Sequence, residues 1–288
     1  MKTKNQSKNK QEPEKNQPQP IPSEKECQTS QQKKISYSEF KNWTECPYRH
    51  KLIYIDKFPY FSGNEYTAFG TAIHEACEKK VPEHSIDAYE VFQQSFLREL
   101  KILKEEGHNI NKDLVREMRE QALPICNNAL KELKSYFGNF EVISIEEELM
   151  ENIDEFQSYG RKFKGFIDLV IKTPDEKYHI IDWKTCSWGW NISKKTDKIV
   201  NYQLTMYKHF FSKKHSIPTE SIETYFALLK RTAKKNNVEI FRVTSGEKKT
   251  NNCLSLLEKS VINIEKGMKI KNRLSCKYCK FYKTEYCK

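Results

Sequence analysis

Several things are missing from this chain of 288 residues. No stretch approaches the ~20 consecutive apolar residues that a membrane-spanning helix needs. The N-terminus carries no apolar core of the kind that marks a secretory signal. No Gly-x-x-x-x-Gly-Lys-Ser/Thr phosphate loop occurs, so the chain holds no nucleotide-driven motor of its own. The expectation is an intracellular protein without membrane association. Residues 1–34 also lack apolar side chains, being almost entirely Lys, Gln, Glu, Asn, Pro and Ser, with too little to bury to offset the entropy of ordering. They read as a disordered basic and polar tail, leaving residues 35–288 as the folded part.

What is present is charge and aromatic surface. The formal net charge is +11 and aromatics make up 12% of the chain. Eight Lys against four Glu place +4 on the tail and leave +7 on the body, so the basic character belongs to the folded part as well. A polyanion is the partner such a protein suits. The length allows one large domain or two small ones with a substantial core.

Apolar periodicity outlines the elements. Ser36 with Glu39 suits a capping box ahead of a short helix carrying Tyr37, Phe40 and Trp43, which Pro47 ends and which leaves Cys46 at its terminus. Residues 66–81 form a helix with Phe69, Ile73 and Cys77 as its buried stripe. His74 lies beside that stripe, with Glu78 four residues on. Helices continue over 86–106 and 112–137 as an insert, the first using Tyr89, Phe92, Phe96, Leu97, Leu100 and Leu103. Glu141–Met150 alternates as a strand, with Glu147 or Glu148 as a candidate extra acid. Residues 199–213 form a helix on which Gln203 and Tyr207, four apart, share a face. Strands follow at 221–230 and 238–243, then a helix over about 250–267. Lys230, Arg231, Lys234 and Lys235 cluster between those two strands, where grouped cations would grip phosphates.

The chain is organised around residues 165–185. Two apolar runs, 166–171 and 178–183, flank the turn-forming segment Thr173-Pro174-Asp175-Glu176-Lys177, which reads as a β-hairpin. A loop over 173–177 puts 172 opposite 178 and Asp168 opposite Asp182, with Lys184 pointing the same way as Asp182. Opposed carboxylates ~5 Å apart among Val, Ile and Leu destabilise a sheet unless something positive sits between them. A divalent cation with oxygen ligands resolves the conflict, and Lys184 is then placed to serve a reaction. The last 13 residues hold Cys276, Cys279 and Cys287, whose spacing in a protein expected to be intracellular points to metal binding rather than disulfides. Cys46 is the best candidate for a fourth ligand, since Cys27 lies in the tail and Cys77, Cys126 and Cys186 fall in core or loop.

Gly165-x-x-Asp168 followed by Asp182-x-Lys184 resembles the core of the PD-(D/E)XK nuclease superfamily, in its RecB-like branch. Gly70-x-x-x-His74 and Gln203-x-x-x-Tyr207 are similar to that branch's early His and late Gln-Tyr motifs. Cys46 with the terminal triplet resembles the iron-sulfur Cas4 and AddB groups, although the gap from Cys279 to Cys287 is longer and leaves Zn2+ in play. No single motif is specific, but five stand in the family's order over residues 35–288. The resemblance implies an α/β fold with a central mixed β-sheet flanked by helices, a restriction-endonuclease-like core with the helical insert and a C-terminal Cys cluster. It implies a metal-dependent DNA nuclease, an exonuclease acting on ends or single strands. His74, Asp168, Asp182 and the Trp183 carbonyl would bind Mg2+ or Mn2+, with Lys184, Gln203 and Tyr207 in the catalytic group. Cys46, Cys276, Cys279 and Cys287 would hold a structural 4Fe-4S cluster or Zn2+. A helicase or a recombination or CRISPR-adaptation protein is the implied partner. The rival expectation is a nucleic-acid-binding module with an inactive nuclease core and a zinc clasp made by the same four cysteines.

Overall fold

The computed structural model describes residues 33–59, 63–153 and 159–288. The tail expected over residues 1–34 lies almost wholly outside them.

The first turn of chain sets one wall of the domain. Strand β1 (Lys34–Ser36) runs straight into helix α1 (Tyr37–Glu45), and Ser36 caps it by accepting from the Glu39 N–H at 3.1 Å. The reciprocal half of the expected box does not form. Glu39 is instead drawn to His50 Nε2 at 3.0 Å, a partner buried beside it. Pro47 opens a short helix, α2 (Pro47–His50), that continues as a π-helical turn over Lys51–Ile55.

Helices α3 (Glu65–Lys80), α4 (Ala88–Glu105) and α5 (Lys112–Phe137) then stack into one layer. Phe69 packs on Phe92 and Phe96 with ring centroids 5.3 and 6.1 Å apart. Each such buried ring contributes about 1.5–3 kcal/mol, well above the tenths that separate helix propensities, so the stripe decides how these helices sit. Leu97, expected among the buried positions, is exposed instead, because the α4 stripe turns through Phe92, Phe96 and Leu103.

The sheet is mixed and six-stranded, as the α/β expectation required. Strand β2 (Glu141–Asn152) pairs antiparallel with β3 (Lys162–Lys172), which forms a hairpin with β4 (Tyr178–Cys186). The hairpin turn closes through Thr173 N–H to the Lys177 carbonyl at 3.0 Å. Short helix α6 (Ile192–Thr196) and long helix α7 (Lys198–His215) lead to β5 (Ile222–Lys230), parallel to β4, then β6 (Val238–Val243) and α8 (Glu247–Glu265). One face of the sheet buries Leu169, Ile171, Ile181 and Trp183 against α3, α4 and α5. The other buries Val170, Ile180, Phe226 and Leu228 against residues of α1, α7 and α8.

The ladder between β3 and β4 runs from Lys172/Tyr178 to Leu169/Ile181 and stops. Beyond that point β4 continues beside β5 as far as Cys186, while the far end of β3 pairs with β1 at Lys162–Lys164. The two hairpin strands therefore part at the residues that follow, Asp168 and Asp182.

Candidate active site

At this fork the backbone groups that a closed hairpin would use are released. The Trp183 N–H donates instead to Asp168 Oδ2 at 2.6 Å. Counting on from Leu169/Ile181 leaves Asp168 and Asp182 opposed, as expected, but they do not share a flat face. Phe163 and Ile167 lie in the same cluster as α7 and α8, whereas Leu169 and Ile171 lie in that of α3 to α5, so the alternation of β3 breaks at Asp168. Asp182 keeps the regular phase of β4 and turns toward α7.

Helix α7 meets it there. Gln203 Nε2 donates to Asp182 Oδ1 at 2.7 Å and to the Tyr207 hydroxyl at 3.2 Å, so the amide holds both side chains at once. Asp182 Oδ2 carries the Lys184 ammonium. Gly165 lets α7 come this near, since a Cβ there would stand 2.8 Å from Tyr207 Cε1. From the opposite side α3 approaches β4 at Gly70, where a Cβ would lie 3.4 Å from Thr185 Oγ1. One turn later His74 Nδ1 stands 3.7 Å from Asp168 Oδ2, beyond hydrogen-bond range. The Trp183 backbone beside it raises the proton affinity of His74, but less than burial and Lys184 lower it.

The electrostatics are those of a site short of positive charge. Burial and the neighbouring Asp182 push Asp168 well above the usual carboxylate range, and burial raises Asp182 against the opposing pull of Lys184. Burial and the Lys184 ammonium hold His74 down to about 4, so its ring is neutral at pH 7. Burial and Asp182 push the Tyr207 phenol up, keeping it protonated. Two buried carboxylates, a neutral imidazole and a carbonyl are the hard oxygen and nitrogen donors a divalent cation takes, although as they stand no three of the described His, Asp or Glu side chains are grouped around one point.

The acid that bears on Asp168 is a residue the alternation did not single out. Glu147 is held by Ser144, Lys214 and His215, and Glu148 by Lys164, so neither reaches the carboxylates. Glu146, on β2 between the residues that pair with Leu169 and Ile167, is near enough for its charge to raise the proton affinity of Asp168. A register shift between Val142 and Ser144 and a positive φ of 47° at Glu146 change the phase of β2, which is why alternation alone misplaces the acid. Glu78, four residues after His74 on α3, hydrogen-bonds Glu146, and burial with that neighbour raises Glu78 to about 8.

The remaining expected residues are partly rearranged. In the basic connection Lys230 pairs with Glu239 at 3.2 Å, and Arg231 donates to Gln121 Oε1 while stacking over Tyr66. Lys234 and Lys235 alone of the four are exposed. The C-terminal segment does return to the end of α1: the Asn272 N–H donates to Cys46 Sγ at 3.4 Å, and the Cys276 thiol lies 3.9 Å from the Asn272 carbonyl. Cys279 and Cys287 pack with Leu52 and Phe281 in the same corner. Among the described residues no three His, Cys, Asp or Glu side chains are grouped to hold a metal ion as they stand, so Cys46, Cys276, Cys279 and Cys287 share a corner without closing into a four-thiol centre. Asn272 and packing make the clasp there. No helix is long and apolar enough to cross a membrane among the described residues.

A crystal structure of a "putative exonuclease" from Eubacterium rectale resembles this chain with a TM-score of 0.54 at 12% identity, covering 92% of each chain, and so shares its fold. Another, of SSO0001, gives a TM-score of 0.34 at 15% identity over 85% of this chain and 93% of that one. Comparison with curated protein sequences found no match. The sequence model of the PD-(D/E)XK nuclease superfamily matches residues 34–287, which takes in the forked hairpin, His74, Gln203 and the terminal cysteines, and the chain belongs to that superfamily.

Proposed function

We propose that residues 35–288 form a divalent-metal-dependent DNA nuclease that hydrolyses phosphodiester bonds at ends or on single strands. The observation that carries this reading is the pair of buried carboxylates, Asp168 and Asp182, opposed at the fork of the hairpin with Lys184 on the second of them, both held above the usual carboxylate range by burial. His74, Asp168, Asp182 and the Trp183 carbonyl would hold Mg2+ or Mn2+. When bound, such a cation lowers the pKa of water and neutralises charge on phosphoryl oxygens. Lys184 orients the water and carries a positive charge to the developing phosphorane oxygens. Gln203 fixes the rotamer of Asp182 and braces the buried Tyr207, which keeps its proton. Lys234 and Lys235 add phosphate contacts from the β5–β6 connection.

The same reading places a 4Fe-4S cluster, or Zn2+ in its stead, on Cys46, Cys276, Cys279 and Cys287. Four soft thiol donors in one corner at the α1 end suit either metal, once their side chains turn toward a common centre. Binding there would tie the two ends of the domain together and become part of the folding free energy. A helicase or a recombination or CRISPR-adaptation protein would be the working partner, because the chain has no phosphate loop of its own.

The test is incubation of the purified full chain with end-labelled linear DNA and closed circular DNA, each with Mg2+, Mn2+ or EDTA. Release of label from linear DNA only with a divalent cation supports an end-directed nuclease, and cutting of the circle redirects the reading to an endonuclease. Intact DNA under every condition would leave a binding module with an inactive core.

A further inference from the structure

A cleft of 580 Å3 shares Lys184 and Gln203 with the candidate active site. Its walls come from distant parts of the chain. Helix α1 contributes Lys41, the approach to α6 contributes Trp190, α6 contributes Lys194, and the 3-10 turn over Arg273–Tyr278 contributes Tyr278. Glu45 on the same wall is taken by Arg49 and lies 4.0 Å from Lys41. The Lys194 ammonium stands 4.4 Å over the Trp190 ring with no carboxylate partner among the described residues. Burial lowers its proton affinity, and Lys41 and Lys184 lower it further, so three ammonium groups share one concavity. Asp182 lies beside Lys184 and Glu45 near Lys41, which leaves Lys194 as the ammonium with no carboxylate beside it and the first a phosphate would meet.

The aromatic members decide which polyanion. Tyr278 is 82% exposed, an unusual setting for a ring, yet its turn is not loose. Asn272 caps that turn through Leu274 N–H at 3.2 Å and donates its own amide to the Glu45 carbonyl at 2.8 Å, fixing the turn to the end of α1. A ring held out over a basic cleft is a stacking platform, and it needs an unpaired base. The volume falls within the ~300–1,000 Å3 of small-ligand clefts, room for a nucleotide or two.

We propose that Lys41, Trp190, Lys194 and Tyr278 form a groove that receives single-stranded DNA and feeds its backbone to Lys184. This rests on the nuclease reading above and adds the entry side and the residues that read the strand as unpaired. It gives the C-terminal turn a role in substrate handling, apart from any metal its cysteines bind.

The test is binding of a fluorescent oligo(dT) and of a blunt duplex to the full chain in EDTA, by anisotropy over a range of salt. Lys194→Glu is expected to weaken oligo(dT) binding about tenfold and to flatten the salt dependence by ~0.7 in log–log slope. Tyr278→Ala is expected to cost about tenfold and Tyr278→Phe little, since the ring face is used and not the hydroxyl. Lys131→Glu on the exposed side of α5 serves as the charge control and should stay within about twofold. Equal losses for Lys194→Glu and Lys131→Glu, a Tyr278→Phe defect as large as Tyr278→Ala, or equal losses on duplex would overturn the groove. Because EDTA removes hydrolysis, a wild type that cleaves with Mg2+ while these variants bind normally would refute the groove alone. Strand binding lost in the variants of a protein that never cleaves would refute the nuclease alone.

Discussion

The Trp183 amide donates to the Asp168 carboxylate at 2.6 Å, across two strands that have just stopped pairing. A side chain thus replaces a carbonyl as the last rung of the hairpin. His74 Nδ1 stands 3.7 Å from the same Asp168 oxygen. Asp182 is fixed from the other face of the sheet by Gln203.

Asp182→Asn should lower DNA cleavage by about 10³-fold or more while leaving oligonucleotide binding near wild type, because Lys184 loses its anchor and a charged ligand is gone. Burial raises the Asp182 carboxyl, so its ionised form is a cost to the metal-free fold at neutral pH. The metal-free variant should therefore melt above metal-free wild type at pH 7–8, by calorimetry. Wild-type cleavage rates in this variant would remove Asp182 from the site.

Glu78 gives a pH signature. Its folded value of about 8 exceeds the ordinary 4.5, so its contribution to stability is complete below pH 4.5 and is lost as the pH rises to about 8. Glu78→Gln should raise the melting temperature at pH 8–9 by a few degrees and make no difference near pH 4.5. A pH-independent shift would mean the substitution acts through packing.

Gly165→Ala should destabilise by about 1–3 kcal/mol in chemical denaturation, because the new methyl collides with the Tyr207 ring at 2.8 Å. Tyr207→Ala should then cost less in the Gly165→Ala background than in wild type, and a double variant whose loss equals the sum of the two single losses would show that the residues are not coupled.

Cys46→Ser should reduce bound iron or zinc and lower thermal stability, whereas Cys77→Ser should leave metal content alone and cost only packing in the core it shares with Cys126. Elemental analysis of the two purified variants separates them. Full occupancy in Cys46→Ser would leave Asn272 as the whole of the clasp.

The strong periodicities were legible from the chain alone. Phe69, Ile73 and Cys77 marked α3, and the apolar runs around Thr173–Lys177 marked the hairpin and its register. Glu146 was not, because its place depends on a bulge that no alternation reveals, and three successive Glu residues look equivalent in sequence. Lys230 and Arg231 looked like free cations until Glu239 and Gln121 arrived from other elements. Lys41, Lys194 and Tyr278 each look like solvated surface, and only the meeting of α1, α6 and the C-terminal turn makes them one wall.

Because the Trp183 amide is shielded by a titratable side chain and not by the strand ladder, its hydrogen exchange should follow the state of Asp168. Most buried amides exchange only when the structure around them opens. This one sits on a latch that protonation, or a cation competing for the same oxygen, would loosen. The exchange rate of a single backbone proton then becomes an internal gauge of how the site is charged, readable without substrate and without turnover.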